Sequence, residues 1–215
     1  MNHRELVAEI STGSAALQQA LPAGAADQLA TLLEELARWS QRVNLTAIRN
    51  LRDMVSAHVL DSLSVRPHLL GKSILDVGTG AGFPGLPLAI VEPERQFELL
   101  DSNGKKIGFV QHMIGELGLH NATAVKVRAE DYAPDNRFDT VIARALTAIP
   151  QFIEISGHLL REDGVMLALK GKYPAAELDE LPADWKYDVI ELQVPGLEQH
   201  ARHLLVLKHC GSANS

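Results

Sequence analysis

The sequence predicts an α/β fold in which helices cover both faces of a mostly parallel sheet of seven strands. Residues 1–70 carry helical patterns and no strand signal, whereas strand and helix patterns alternate from Ser73 onward. Only a loop separates the last two strands. Because strands joined through helices run parallel and strands joined by a loop pair antiparallel, we expect an antiparallel last strand at one edge.

Residues 1–70 are expected to form an N-terminal helical cap packed on the core. Apolar side chains recur at helical spacing within residues 25–42, and a second helical pattern covers residues 55–63 before Pro67. The first stripe consists of Leu29, Leu32, Leu33, Leu36 and Trp39. We therefore place Trp39 in the core rather than on a binding surface.

Residues 71–210 are expected to form one domain, and residues 211–215 a disordered tail. Helical patterns cover residues 105–117 and 149–160. Short apolar runs typical of strands occupy residues 74–77, 97–100, 124–127, 140–143, 165–169, 187–194 and 203–207. This spacing is typical of consecutive βαβ units.

The composition favours a soluble, cytoplasmic protein, which we expect to be a monomer. Cys210 is the only cysteine, so neither a disulfide framework nor a thiolate metal cage can form within the chain. The N-terminal residues lack the apolar core of a signal peptide. No apolar run approaches the roughly 18 residues that a membrane span needs.

The net charge of −7 at pH 7 bears on the kind of partner that the protein can bind. Nucleic-acid-binding proteins usually carry a basic stripe, so the total charge disfavours that class, although an acidic protein can still present a local basic face. The nine histidines form no convincing catalytic constellation. His200, His203 and His209 lie near Cys210 on the last strand and its exits, and we expect no metal site there.

The strongest motif is a glycine-rich turn, Asp76-Val77-Gly78-Thr79-Gly80-Ala81-Gly82-Phe83-Pro84-Gly85, which follows a strand and opens a helix. Its glycines let the backbone turn sharply and approach a ligand closely, and the amides at the start of the helix favour a negative group. The next strand ends in Asp101, whose carboxylate can accept hydrogen bonds from both hydroxyls of a ribose. Asp101 could instead cap the helix near Lys105.

Two nucleoside cofactors fit this turn. Gly80, Gly82 and Gly85 also satisfy the dinucleotide pattern, with Asp101 at the position of the NAD ribose partner. Against NAD, Asp76 can hold the turn and meet a cationic amino-acid moiety. The chain also offers no second domain for a hydride acceptor and no Tyr-x-x-x-Lys pair. The sequence therefore favours S-adenosylmethionine.

With these motifs the chain resembles the class I S-adenosylmethionine-dependent methyltransferases, which have a Rossmann-like fold. More closely, it resembles the ribosomal RNA small subunit methyltransferase G family, also called glucose-inhibited division protein B. The resemblance runs from about Leu29 to Leu207. It is carried by Asn44-Leu45-Thr46-Ala47-Ile48, His58 with Asp61-Ser62-Leu63, the glycine turn from Leu75, Leu100-Asp101-Ser102 with Lys105-Lys106, Arg128-Ala129-Glu130 and Ala143-Arg144-Ala145.

This resemblance implies methylation of N7 of one guanine in the decoding region of small-subunit (16S) ribosomal RNA. It implies that Arg144 closes the pocket where donor and target base meet. No general base is expected, because guanine N7 carries no hydrogen. The implied donor contacts are Gly78 and Phe83 at the methionine and sulfonium end, Gly80 in the same turn, Asp101 at the ribose, and Ala129 with Glu130 at the adenine.

Several of these positions also have a purely structural explanation. Phe83 could belong to the core, a role compatible with packing beside the sulfonium. Arg128, Ala129 and Glu130 could form a solvated strand exit. Arg144 could pair with a nearby carboxylate, such as Asp139 or Glu130.

Two basic groups are candidates for phosphate contact. No acidic residue lies between Leu36 and Arg52, a stretch with four arginines that we call the arginine segment: Arg38, Arg42, Arg49 and Arg52. These could equally form a solvated helix face. Lys170 and Lys172 follow the fifth strand, with Tyr173 beside them as a candidate for stacking on a flipped base. The Lys105-Lys106 pair is a third basic candidate.

The expected partner is small-subunit ribosomal RNA or the assembled small subunit. Two alternatives stay open at this point. The protein could methylate another RNA or a small molecule, or it could be a ribosome-associated factor that binds the cofactor without turnover. The intact glycine turn and Asp101 disfavour the second alternative.

Overall fold

The computed structural model describes residues 1–210, so the predicted tail at residues 211–215 lies outside the described residues. The helices in this range are α1 (His3–Ala16), α2 (Ala25–Trp39), α3 (Leu51–Met54), α4 (Asp61–Leu63), α5 (Gly85–Val91), α6 (Gly104–Glu116), α7 (Ile149–Ser156) and α8 (Ala175–Asp179). A π-helical turn, Val55–Leu60, joins α3 to α4, and 3-10 turns occupy Arg66–His68, Ala129–Asp131 and Gly157–Leu159.

Seven strands form one sheet, as predicted. They are β1 (Ser73–Val77), β2 (Gln96–Leu100), β3 (Ala122–Val125), β4 (Phe138–Arg144), β5 (Leu160–Lys170), β6 (Trp185–Glu191) and β7 (His203–His209). The order across the sheet is β3-β2-β1-β4-β5-β7-β6. Only β7 runs antiparallel to its neighbours β5 and β6, which confirms the predicted antiparallel last strand. It lies inside the sheet, and β6 forms the edge.

Several elements differ from the sequence-based expectation. Helix α8 was not expected, and the helix expected over residues 149–160 ends at Ser156, because Leu160 already belongs to β5. Helix α1 was not identified individually, because Ser11, Thr12 and Gly13 interrupt its apolar stripe; its start is fixed by a capping box between Asn2 and Glu5. Strand β3 begins at Ala122, two residues earlier than expected, since the apolar alternation continues past the paired residues. Strand β5 is longer than expected, because polar residues between Leu160 and Val165 hide its first half.

The front helices share the apolar core of the sheet domain. Leu6 and Leu29 are fully buried in one continuous cluster with Phe97 and Phe109. Trp39 packs against this cluster, with its ring 5.4 Å from that of Phe109, which confirms its predicted place in the core. A second apolar cluster covers the other face of the sheet, so both faces are buried, as the near-continuous apolar strands require.

Asn121 fastens the loops at the amino end of β2 and β3. Its side-chain amide, 8% exposed, donates to the carbonyl oxygens of Ala89, Glu92 and Arg95 at 3.0, 3.2 and 3.0 Å. These carbonyls belong to the end of α5 and to the turn that leads into β2. One buried side chain therefore supplies a donor to three carbonyls, of which only that of Glu92 also accepts from a backbone amide within residues 1–210, that of Arg95 at 3.0 Å.

Replacing Asn121 with Ala is expected to lower the free energy of unfolding by about 1–3 kcal/mol, because buried carbonyl oxygens lose their donor. Urea unfolding followed by circular dichroism measures this. Asn136→Ala, at an exposed position, is the matched control and should change stability by less than about 0.5 kcal/mol. Equal effects of the two substitutions would contradict the role assigned to Asn121.

Candidate active site

A cavity of about 710 Å³ lies at the carboxyl ends of the central strands, and we call it the strand-end cavity. Its walls are the glycine turn after β1, Asp101 and Ser102 after β2, residues 127–130 after β3 and residues 144–147 after β4. Thr46 and His58 from the front helical part complete it. Ligands bind at this edge of open parallel sheets, because the strand ends and the amides of the following helices meet there.

The glycine turn depends on backbone conformations that residues with a side chain rarely adopt. Gly78, Gly80 and Gly82 have φ angles of 67°, 62° and 87°. Beneath them Asp76 is fully buried, and its Oδ2 accepts hydrogen bonds from the Thr79 hydroxyl at 2.6 Å and the Gly85 amide at 2.8 Å. Burial raises the pKa of Asp76 to about 6 despite these two bonds. Asp76 thus holds the turn from below the cavity, and its Oδ1 is buried without a hydrogen-bond partner within residues 1–210; its contact with a cationic ligand group stays a prediction.

Asp101 joins the turn to the segment that precedes α6. Its Oδ2 accepts from the Gly80 amide at 3.0 Å and its Oδ1 from the Asn103 amide at 2.8 Å. The side chain of Asn103, not that of Asp101, caps α6 by accepting from the amides of Lys105 and Lys106. The helix-cap explanation for Asp101 is therefore wrong. The residue lines the cavity, and each carboxylate oxygen has a second lone pair.

The segment after β3 forms another part of the cavity wall. Ala129 is buried and Glu130 is exposed, and both line the cavity together with Val127 and Arg128. Within residues 1–210 the Glu130 carboxylate makes neither a hydrogen bond nor an ion pair. The segment is solvated and also faces the cavity. A solvated strand exit and the adenine contact implied by the resemblance are therefore compatible.

Phe83, Arg144 and His58 form a compact group on the cavity wall. The rings of His58 and Phe83 are stacked with centroids 4.8 Å apart, and the guanidinium carbon of Arg144 lies 5.4 Å from the Phe83 centroid. Phe83 is 3% exposed, so it belongs to the core and lines the cavity at once.

The protonation of His58 follows from its neighbours. Arg144 Nη2 lies 3.4 Å from His58 Nδ1, and His58 Nε2 lies 2.9 Å from the Thr46 hydroxyl. Because arginine only donates, Nδ1 accepts and the ring proton belongs on Nε2, directed to Thr46. Burial, aided by the charge of Arg144, lowers the pKa of His58 to about 3. The imidazole is therefore neutral at physiological pH.

Asp61 is the carboxylate that holds Arg144. Arg144 Nη1 donates to Asp61 Oδ2 at 3.3 Å and to the Ala57 carbonyl at 2.9 Å. Arg202 Nε donates to the other oxygen, Asp61 Oδ1, at 3.2 Å. The alternative that Arg144 pairs with a carboxylate is therefore confirmed, but the partner is Asp61 rather than Asp139 or Glu130. Asp139 instead binds Arg161 and two backbone amides at the start of β1.

Sequence reasoning assigned no role to Thr46, His58 and Asp61, although all three lie in the blocks that carried the resemblance. The π-helical turn that contains His58 is of a kind often found at functional sites. No local pattern in the sequence shows that this turn meets β4. The only signal for a role of these residues was that polar side chains occur in the two front blocks, residues 44–48 and His58 with residues 61–63.

The four arginines of the arginine segment differ in their side-chain contacts. All four are exposed, but Arg38 pairs with Glu35 at 2.6 Å and Arg52 with Glu9 at 3.1 Å. Arg49 donates to the Ser40 carbonyl, and the side chain of Arg42 makes no hydrogen bond or ion pair within residues 1–210. Arg42 and Arg49 therefore offer the charge that is not already neutralised. Phosphate contact by the segment stays a prediction.

Lys170 and Lys172 also differ from each other. Lys170 has a side chain only 16% exposed, and its ammonium lies 2.7 Å from both the Thr147 carbonyl and Glu177 Oε2. Lys172 is exposed and makes no such contact within the described part of the chain. Tyr173 is 55% exposed, with its ring edge-on to His203. Glu177 thus already balances the charge of Lys170. The two residues are seven positions apart, and no pattern in the sequence shows that they pair.

Within residues 1–210, no group of three His, Cys, Asp or Glu side chains could hold a metal ion. Of the three C-terminal histidines, His209 contacts Asp184 at 3.0 Å, and His203 has a buried Nδ1 without a hydrogen-bond partner. In the same residues, no helix is both long and apolar enough to cross a membrane.

The fold matches that of solved methyltransferases. The O-methyltransferase TomG of Streptomyces achromogenes, solved in complex with SAM, is 16% identical and superposes with a TM-score of 0.56 over 84% of this chain and 90% of its own. At this identity the likeness concerns the fold alone. It confirms the predicted Rossmann-like arrangement.

Sequence comparisons are more specific. The family model described as rRNA small subunit methyltransferase G matches residues 25–205. The ribosomal RNA small subunit methyltransferase G of Aeromonas salmonicida is 50% identical over 85% of this chain and 88% of its own length. The protein of the same name from Xanthomonas campestris pv. campestris is 44% identical over 96% of this chain and 99% of its length. This chain therefore belongs to the rRNA small subunit methyltransferase G family.

Proposed function

We propose that the protein transfers the methyl group of S-adenosylmethionine to N7 of a guanine in small-subunit ribosomal RNA. The observation that carries this proposal is the strand-end cavity of this chain, which belongs to the rRNA small subunit methyltransferase G family. The cavity brings the glycine turn, Asp101, residues 129–130 and the Phe83–Arg144 group to one place. Family membership supports the RNA substrate, and the choice of N7 rests on the family resemblance alone.

The residues around the cavity fit this donor. Gly78 lines the cavity with a φ angle of 67°, and a Cβ atom placed on it would lie 2.3 Å from Leu146 Cδ1, so a side chain there would intrude on the space between the turn and Leu146. Asp101 offers carboxylate oxygens for two ribose hydroxyls. Ala129 would contact the adenine with its backbone and small side chain, while Glu130 would accept from the exocyclic amine. The methionine end would lie between Gly78 and Phe83.

When bound, S-adenosylmethionine supplies a methyl group on a sulfonium, which a lone pair attacks in line. Guanine N7 presents such a lone pair in the plane of the base and carries no proton, so the chain needs only to align the two substrates. His58 is consistent with this, because a pKa of about 3 makes its imidazole a weak base. We assign to Arg144 the role of closing the target side of the pocket.

Charge near the target side also supports an RNA substrate. Arg144 and Arg202 share the single carboxylate of Asp61, so this partly exposed group carries an excess of one positive charge. Lys172 and Arg42 add exposed cations in the described part of the chain. Phosphate groups would be attracted to these sites even though the protein as a whole is acidic.

Labelling tests the proposal directly. The protein is incubated with radiolabelled donor and, separately, with protein-free small-subunit rRNA, intact small subunits and a small-molecule extract. We expect label in ribosomal RNA, recovered as 7-methylguanine after hydrolysis. Label only in the extract, donor binding without any transfer, or calorimetric binding of NAD in place of the donor would each contradict the proposal.

Gly78→Ala is expected to weaken donor binding at least about tenfold, equivalent to 1.4 kcal/mol, because the new Cβ competes with Leu146 and the donor for the same space. Gly118→Ala is a matched control: Gly118 also has a positive φ, of 62°, but a Cβ there has nothing within 4 Å. Both variants should lose about 1–2 kcal/mol of stability through backbone strain. Calorimetry with the donor separates them, and equal donor affinities would show that the turn is structural only.

The double variant Arg42→Ala/Arg49→Ala is expected to weaken RNA engagement and lower its salt dependence by up to about two counterions. Donor affinity should not change, because neither residue lines the strand-end cavity. The measurement is methylation of small subunits across a salt series, with calorimetry of the donor alongside. Arg137→Ala/Lys186→Ala, at the opposite end of the sheet, is the control that removes equal charge. An unchanged salt profile would mean that RNA docks elsewhere, for example on Lys172 or the Lys105-Lys106 pair.

A further inference from the structure

The segment between β4 and α7, residues 145–148, carries signs of a constrained position. Ala145 has a φ angle of 51°, a left-handed conformation that residues with a Cβ rarely adopt. Leu146 reaches the glycine turn and touches Gly78, and Ala145, Leu146 and Thr147 all line the strand-end cavity. Such strain persists only where surrounding contacts fix the backbone.

One ion pair supplies these contacts from outside the cavity. Lys170 Nζ donates to the Thr147 carbonyl at 2.7 Å and pairs with Glu177 Oε2 at 2.7 Å. The same Glu177 oxygen accepts from the Ile149 amide at 2.7 Å. Two charged side chains therefore hold the segment on both sides of Ala148. Neither of them lines the cavity.

The sheet register places this pair where it controls the loop. Arg144 at the end of β4 is paired with Leu169 of β5, so Lys170 extends β5 beside the first loop residue. Glu177 comes from α8, which packs near α7. The Lys170 side chain is 16% exposed and its ammonium is engaged twice, so it has little freedom to reach a phosphate.

We infer that Lys170 and Glu177 are positioning residues that hold residues 145–148 against the glycine turn and thereby set the distance between donor and target base. The effect on methyl transfer rests on the proposed function. The contacts of Lys170 and Glu177 with Thr147 and Ile149, which we call the clamp, are a property of the folded chain. This role replaces the expectation that Lys170 binds RNA phosphate. A displacement of about 1 Å in such a segment is enough to lower turnover by about a hundredfold.

The test uses the full chain with Lys170→Met, Glu177→Gln, both together, and Lys170→Arg, whose guanidinium can donate to both partners. Lys186→Met and Glu180→Gln are controls at exposed positions. Hydrogen exchange of the peptide amides in residues 145–149 is measured first, without donor or RNA. We expect faster exchange there in the Met and Gln variants, with the Arg variant close to wild type. Unchanged exchange would overturn the inference, whatever the activity of the protein.

Activity then distinguishes a clamp from a phosphate contact. We expect Lys170→Met and Glu177→Gln each to lower kcat by about ten- to a hundredfold, with an unchanged salt slope. The double variant should be no worse than the poorer single variant, since both disrupt one unit. A phosphate contact predicts instead that Lys170→Met flattens the salt slope, while Glu177→Gln frees the ammonium and strengthens RNA engagement, and that result would overturn the clamp. If the wild type binds no donor and transfers no label, the proposed function fails, and the exchange measurement still decides the clamp.

Discussion

The buried carboxylate of Asp61 lies between two guanidinium groups that come from distant parts of the chain. Asp61 is 4% exposed and belongs to the front helical part, Arg144 ends β4, and Arg202 precedes β7. Removing this carboxylate would leave two guanidinium groups without their shared counter-charge, and breaking a buried ion pair in this way destabilises a protein by about 3–5 kcal/mol. The front helices, the sheet and the last strand are therefore tied together at the edge of the cavity. Arg144 in turn contacts His58 and Phe83, so the shape of this wall depends on the same carboxylate.

The two sides of the strand-end cavity are built by different means. On the side of β1 to β3, the walls are strand ends whose backbone amides and carboxylates act locally, as in the bond from Gly80 to Asp101. On the side of β4, the position of each group depends on charged side chains that reach across the fold. The first arrangement suits a ligand common to many proteins of this fold, since it needs only the parallel sheet and the glycine turn.

Charge pairing decides which cations of this acidic chain are available to an anionic substrate. Several cations that look available in the sequence are engaged in the fold: Arg52 with Glu9, Arg144 with Asp61 and Lys170 with Glu177. Ten of the twenty lysines and arginines are exposed and have no side-chain hydrogen bond or ion pair within residues 1–210: Arg4, Arg42, Lys72, Lys105, Lys126, Arg128, Arg137, Lys172, Lys186 and Lys208. The proposed RNA contact thus depends on which of these charges lie near the cavity rather than on the net charge of −7.

The sequence alone determined the sheet, the glycine turn and the place of Asp101, because each is encoded by residues close together in the chain. Apolar periodicity identifies strands, and Gly78, Gly80 and Gly82 are needed by one local backbone path. Only the tertiary structure decided which polar side chains meet. Asp61 lies 83 residues from Arg144 and 141 from Arg202, and no local pattern encodes such a pairing. Lys170 received a new role for the same reason: whether a charge is free or neutralised depends on the packing of elements that the sequence separates.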